Sequence, residues 1–249
     1  MNKIWIALPA YNEEEALPPL IKGISEHLTF NNFQYSIIIV DDGSKDRTGE
    51  LIEEWAKTKP IIPFHNNPNK GLAETLRRGL LEAVKRASDD DIVITLDADN
   101  THLPGLMPRM IARISEGNDV VIASRYREGS AIRGVPWNRL LLSLGAAWLF
   151  RLVFPIPGVR DYTCGYRAYR VTVLKQLISK YGEDRFVSER GFSCMVDVLL
   201  RLREFKPICC EVPIVLRYDY KPGASKMKVL QTVLDTLKLM IKRRLAPGS

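Results

Sequence analysis

Residues 92–104 read IVITLDADNTHLP, and the reading of the fold starts there. The first five, Ile92 to Leu96, are mostly β-branched or apolar and read as a buried strand. The strand ends in two carboxylates one residue apart, Asp97 and Asp99. In an α/β sheet, ligands bind beyond the carboxyl ends of strands, where the chain leaves the packed layer. Side chains at i and i+2 of an extended segment point the same way, so both carboxylates are expected to face one ligand. Two hard oxygen donors at this spacing suit Mg²⁺ or Mn²⁺ bridging to a diphosphate. A solvated Asp-Ala-Asp turn is the simpler alternative, because Asp and Asn are common turn residues.

Upstream, the same pattern recurs. Residues 3–8 form a short apolar strand broken by Pro9, then Ala10-Tyr11-Asn12-Glu13-Glu14, with a helix starting near Pro18 and Pro19. Residues 36–40 form a second strand, closed by Asp41, Asp42, Gly43 and Ser44. Asp46 and Thr48 are candidates to cap the helix carrying Leu51, Ile52 and Trp55. Residues 61–64 are a weaker third strand, followed by a helix with Leu72, Leu76, Leu80 and Val84 on one face. This alternation predicts an α/β fold: a doubly wound, mostly parallel sheet with helices on both faces. Three strands then end in polar clusters on one edge. Neither G-x-G-x-x-G after the first strand nor G-x-x-x-x-G-K-[ST] occurs. Neutralising a diphosphate must therefore fall to a metal and basic side chains.

At 249 residues, 46% apolar and 26% charged, the chain can bury one large core or two fused halves. A net charge of +7 calls for an anionic partner, such as a nucleotide, nucleic acid or a membrane surface. Cys164, Cys194, Cys209 and Cys210 form no C-x-x-C pair and read as small buried hydrophobes in a reducing compartment. The start of the chain lacks a signal-like segment, and no run of about twenty apolar residues could span a bilayer. A cytoplasmic location is expected.

In the second half, residues 119–123 form a strand that leads to Ser124-Arg125-Tyr126, and arginine suits phosphate recognition. Residues 137–159 are apolar almost all round, which suits a buried core helix, but with Trp137, Trp148 and the flanking Arg139 and Arg151 they read better as a helix lying at a membrane interface. Residues 189–203 read as a helix with Phe192, Met195, Val196, Leu199 and Leu200 as core, and 208–217 as one long strand against the sheet edge. Residues 226–244 pair an apolar face (Leu230, Val233, Leu234, Leu237, Ile241) with a basic remainder suited to anionic headgroups.

The motifs Leu8-Pro9-Ala10-Tyr11-Asn12-Glu13-Glu14, Val40-Asp41-Asp42-Gly43-Ser44, Asn69-Lys70-Gly71 and Asp97-Ala98-Asp99 occur here in that order. Ser124-Arg125-Tyr126, Asp161-Tyr162-Thr163-Cys164-Gly165-Tyr166-Arg167 and Gly223-Ala224-Ser225-Lys226 follow. Together they resemble the inverting family 2 glycosyltransferases of GT-A fold, in the dolichyl- or polyprenyl-phosphate branch. The resemblance implies transfer of a sugar from a nucleotide diphosphate sugar to a polyprenyl phosphate, at the cytoplasmic face of a membrane. It implies that Pro9, Tyr11, Glu13 and Asp42 hold base and ribose, with Ala10, Val40 and Ala98 alongside. Asp97 and Asp99 would face the Mg²⁺ or Mn²⁺, with Thr101 where relatives often carry Gln. Arg125, Arg139, Arg217 and Lys226 would contact the donor diphosphate or the lipid phosphate, with Lys221 a substitute for Arg217.

Asp161 and Asp197 are candidate bases. A phosphate acceptor, with its second pKa about 6, needs little help in deprotonation, so Asp161 is expected to position rather than abstract. The implied organisation is a catalytic domain over 1–225, with nucleotide half 1–103 and acceptor half 104–225, then the basic helix over 226–249. The implied partners are the two substrates, the membrane surface and an anchoring subunit, with no nucleic acid. Alternatives are a glycosyltransferase acting on a soluble or polysaccharide hydroxyl, a haloacid-dehalogenase-type phosphatase and a non-catalytic sugar-nucleotide binder.

Overall fold

The computed structural model describes residues 2–134, 137–189, 191, 193–220 and 239–240, with side chains at 137–143 and 146 left aside. The first half alternates strictly: β1 (Ile4–Ala10), α1 (Leu17–Phe30), β2 (Tyr35–Asp41), α2 (Thr48–Ala56), β3 (Ile61–His65), α3 (Leu72–Arg86) and β4 (Ile92–Thr95). Next come α4 (Met107–Ser115), β5 (Val120–Ser124), β6 (Ala131–Arg133) and α5 (Trp137–Val153). The chain continues through β7 (Arg167–Arg170), α6 (Val171–Tyr181), α7 (Ser193–Leu202), β8 (Cys209–Pro213) and β9 (Val215–Arg217).

Seven strands form one sheet in the order β3-β2-β1-β4-β7-β5-β8. β1, β2, β3 and β4 run parallel, as do β5 and β8, while β7 lies antiparallel between β4 and β5. The sheet is therefore mostly parallel, as the α/β reading predicts. Ile37, Ile38, Ile39 and Val40 of β2 are all at most 1% exposed, which is why this strand reads as a continuous apolar run. Each such residue contributes about 1.5–3 kcal/mol by leaving water. The chain winds outward from β1 to β3 and then returns to place β4 on the other side of β1. That reversal opens a crevice at the carboxyl ends of β1 and β4, the usual ligand position in such sheets.

Four expectations need correction. Pro9 does not end the first strand, because β1 runs on to Ala10. Even-numbered residues of β1 bond toward β2, as the Ile4 N–H to Gln34 and the Ala10 carbonyl from Asp42 demonstrate. Pro9 therefore turns its missing N–H toward β4, whose pairing has already stopped at Ala7–Thr95. The expected strand over 208–217 is two strands: β8 joins the sheet edge beside β5, and β9 pairs with β6 in a separate two-stranded sheet. The helix expected from 189 begins at Ser193. β7 was not expected at all.

α5 carries Leu144, Trp148 and Leu152 on one face, 50%, 65% and 64% exposed, while Ala147 and Phe150 are buried opposite, as is Phe154 just past its end. No helix among the described residues is long and apolar enough to cross a membrane. The basic segment over 226–244 lies outside the described residues, except Leu239 and Met240, which are helical and buried.

Candidate functional site

Two loops at the crevice are zipped together. The backbone N–H groups of Asn12, Glu13 and Glu14 donate to Ser44 Oγ (2.9 Å), Thr48 Oγ1 (2.8 Å) and Asp46 Oδ2 (3.1 Å). In return, the Lys45 and Arg47 N–H groups donate to Asn12 Oδ1 and Glu14 Oε2. Burial would raise the Asp46 carboxyl, yet bonds from Thr48 and Glu14 outweigh it and hold the pKa below the ordinary carboxylate value. These contacts fix Tyr11 and Glu13 at the mouth, while Asn12 adopts the left-handed region (φ 52°) that Asn tolerates.

Asp42 is nearly buried and committed. Its Oδ1 accepts from Asn66 Nδ2 and the Lys70 N–H, both at 2.9 Å, and its Oδ2 from the Gly71 N–H at 2.8 Å. The carboxylate thus orders the loop leading into α3. Val40 is fully buried, so its side chain belongs to the core and only its backbone can border a nucleotide. Asp41 accepts from Ser44 and faces His65 Nδ1 at 3.1 Å, and His65 Nε2 lies 2.8 Å from Glu53.

Asp97 and Asp99 follow β4, but a turn begins between them at Ala98, in place of the extended segment expected, with Asn100 at φ 59° reversing the chain. The i and i+2 argument therefore does not set their directions. Asp97 is part-exposed, whereas Asp99 is 8% exposed and accepts from both the N–H (3.1 Å) and the hydroxyl (2.7 Å) of Thr101. Thr101, expected as a metal ligand, spends its proton orienting Asp99. The Asp97 N–H donates to His102 Nδ1 at 3.3 Å, and the His102 ring packs on Tyr166, centroids 5.3 Å apart. No cluster of three or more His, Cys, Asp or Glu forms a cage among the described residues. Two carboxylates with no third protein ligand fit Mg²⁺ or Mn²⁺, which take the rest of an octahedron from phosphate and water. They do not fit a closed structural site.

The turn is stitched to the small sheet. The Arg217 N–H donates to the Thr101 carbonyl at 3.1 Å, and His102 forms a β-bridge with Leu216. The Arg217 guanidinium is itself engaged, with Nε 2.9 Å from Asp219 Oδ1 and Nη2 2.7 Å from Oδ2.

Arg125 and Asp161, expected in phosphate binding and catalysis, meet each other. Asp161 is fully buried and accepts from Arg125 Nε at 2.8 Å, Arg125 Nη2 at 2.7 Å and the N–H groups of Arg125, Thr163 and Cys164. Burial alone would raise the Asp161 carboxyl, but the Arg125 charge and these bonds bring it below the usual value. Glu211 anchors the loop from β8, its Oε1 accepting from the Asp161 N–H at 2.6 Å and from the Arg160 N–H. Asp197 is fully buried on α7 and bonded to Ser188 and Arg201. The Arg139 side chain and all of Lys221 and Lys226 lie outside what is described. Burial pushes the thiols of Cys164, Cys194 and Cys209 up to about 12, so they behave as apolar side chains.

Sequence reasoning missed Glu211, His65 and Arg167. Arg167 on β7 is fully buried, donating to the carbonyls of Tyr162 (2.7 Å), Cys164 (2.8 Å) and Met195 (2.6 Å). The only signal for it was its place in Gly165-Tyr166-Arg167.

Residues 5–178 match the family described as Glycosyl transferase family 2. A dolichol-phosphate mannosyltransferase of Pyrococcus furiosus is 31% identical over 95% of this chain, which spans 62% of that protein. A polyprenol monophosphomannose synthase of Mycolicibacterium smegmatis is 34% identical over 91% of this chain and 81% of its own length. Among solved structures, glucosyl-3-phosphoglycerate synthase from Mycobacterium tuberculosis in complex with Mg²⁺ and uridine diphosphate superposes with TM-score 0.62 at 21% identity. That match covers 98% of this chain and 77% of the other. S. aureus TarS in complex with UDP superposes at 0.59 and 16% identity, covering 96% of this chain and 65% of that one. At these identities the two structures establish the GT-A-like fold alone.

Proposed function

Because this chain belongs to glycosyl transferase family 2, we propose that it transfers a sugar from a nucleotide diphosphate sugar to a polyprenyl phosphate at a membrane surface. The observation that carries the reading is the stitching of β9 to the carboxylate turn. It sets Arg217, a side chain built to grip phosphate, two hydrogen bonds along from Asp99. The names of the two relatives, both acting on a lipid phosphate, support the acceptor class. Family membership sets aside the phosphatase and the non-catalytic binder.

Mg²⁺ or Mn²⁺ held by Asp97 and Asp99 would supply Lewis-acid neutralisation of the departing diphosphate. The chain's own residues do the rest. The zipped loops present Tyr11 and Glu13 to base and ribose, and Thr101 holds Asp99 in its rotamer. Arg217 orients the acceptor phosphate so that one oxygen attacks the anomeric carbon while the bond to the diphosphate breaks, inverting the configuration. That oxygen is already anionic near neutral pH, so no strong base is required. Asp161, locked in its ion pair, pins Arg125 in place and takes no proton. α5 lays Leu144, Trp148 and Leu152 into the cytoplasmic membrane interface with Arg151 at headgroup level.

A thermal-shift panel of nucleotide diphosphate sugars with Mn²⁺ tests the donor half. A donor at 100 times its dissociation constant adds about 2.7 kcal/mol of stability. A panel in which no nucleotide diphosphate sugar stabilises the protein overturns the reading.

A further inference from the structure

The small β6–β9 sheet brings together two arginines that lie far apart in sequence. Arg133 and Arg217 are register partners in a parallel pair, so their side chains leave the same face from backbones about 4.8 Å apart. Like charges that close are unfavourable unless an anion lies between them. Asp219 supplies one: it takes both Nε and Nη2 of Arg217 in a forked contact and also feels the charge of Arg133. Its place is fixed by a tight crossing, since a Cβ on Gly134 would stand 2.8 Å from the Asp219 nitrogen. Tyr220 backs the Arg217 guanidinium at 3.7 Å from its ring centroid.

Two forked arginine–carboxylate pairs among the described residues of this half differ in the exposure of the carboxylate. The two arginines are alike in exposure, 18% and 19%, but Asp161 is fully buried whereas Asp219 is 41% exposed, so the second pair is the one open to exchanging its carboxylate for another anion. We propose that Arg133 and Arg217 form a two-arginine clamp for the acceptor's phosphate monoester, and that Asp219 holds the clamp when it is empty and is displaced on binding. This rests on the polyprenyl-phosphate reading above. A phosphate dianion offers three oxygens to the two forks and outcompetes one carboxylate.

The test is calorimetric titration of a short-chain, water-soluble prenyl phosphate, and separately of UDP and GDP with Mn²⁺, into wild type, Arg133→Ala, Arg217→Ala and Asp219→Asn. Asp219→Asn keeps the shape and removes the competing charge, so its prenyl phosphate affinity rises, by roughly ten-fold for one charged contact relieved. Arg133→Ala and Arg217→Ala each weaken it by at least that factor, while nucleotide affinity stays within two-fold of wild type. Titration of inorganic phosphate separates headgroup chemistry from tail: the clamp predicts the same ranking of variants at weaker absolute affinity. If wild type binds prenyl phosphate and neither Arg133→Ala nor Asp219→Asn changes that, the clamp is wrong and the acceptor reading stands. If the arginine variants lose nucleotide instead, the pair serves the donor and the proposal fails. If wild type binds nucleotide but no prenyl phosphate, the acceptor reading falls and the clamp with it.

Discussion

At the scale of single residues, burial separates roles that the sequence leaves merged. Asp97 and Asp99 look equivalent in the motif, yet Asp99 is the buried one and the one that organises Thr101. Asp97→Asn is therefore expected to abolish Mn²⁺-dependent nucleotide binding at little cost in stability. Asp99→Ala should lose the same binding and also about 1–3 kcal/mol, because it strands a buried hydroxyl and an N–H. Calorimetry and urea unfolding of the two variants give both numbers. Asp161→Asn leaves the Arg125 charge buried without its counter-ion, which costs about 3–5 kcal/mol. The same pair predicts acid sensitivity. A carboxyl with a lowered folded pKa contributes stability above its unfolded value, about 3.9, and loses it as pH falls through the folded one. Wild type should therefore lose stability below about pH 4 more steeply than Asp161→Asn, and parallel unfolding curves would remove the ion pair as the cause. His65 works the other way. Burial lowers its pKa, but bonds to Glu53 and Asp41 raise it above the ordinary value. Its contribution is complete below about pH 6.5 and fades as pH rises through the raised value. His65→Gln should thus cost more stability at pH 5.5 than at pH 8.5, by under about 1 kcal/mol because the ring is 39% exposed.

At the scale of elements, strands buried on both faces announce themselves as apolar runs, so β1, β2, β4 and β5 are legible without coordinates. β7 is not, because its four residues, Arg-Ala-Tyr-Arg, begin and end with arginine. Its place comes from the tertiary setting, antiparallel pairing with β4 and β5 on either side, with three carbonyls taking up the buried Arg167 guanidinium. The same holds for the site: the residue types at the crevice are readable, whereas the pairing of Arg125 with Asp161 across 36 residues is not. The single strand expected over 208–217 hides most, since its second part, β9, pairs with an unexpected β6 and so carries Arg133 beside Arg217. For α5, the i, i+4, i+8 spacing of Leu144, Trp148 and Leu152 gives a stripe with nothing to gain by facing water. Trp148→Glu should leave the circular dichroism spectrum and melting temperature unchanged while reducing co-sedimentation with anionic vesicles several-fold. Undiminished sedimentation would show the stripe to have another purpose.

For the molecule as a whole, one sheet edge gathers the two carboxylates of the β4 turn, the zipped loops after β1 and β2, and the small sheet bearing arginines. A net charge of +7 favours anionic substrates on an anionic surface, an attraction that salt screens over about 8 Å at physiological ionic strength. The account stands or falls on what that edge does with a nucleotide sugar and a lipid phosphate together. The direct measurement is mass spectrometry of polyprenyl phosphate in detergent after incubation with the protein, Mn²⁺ and a panel of nucleotide diphosphate sugars. The expected result is a polyprenyl phosphate one sugar heavier, formed only with the metal present and at least about 100-fold less by Asp97→Asn, the loss of about 2.7 kcal/mol of transition-state stabilisation. Transfer that persists in a metal chelator, or sugar found on a hydroxyl acceptor while the lipid phosphate stays unmodified, would contradict it.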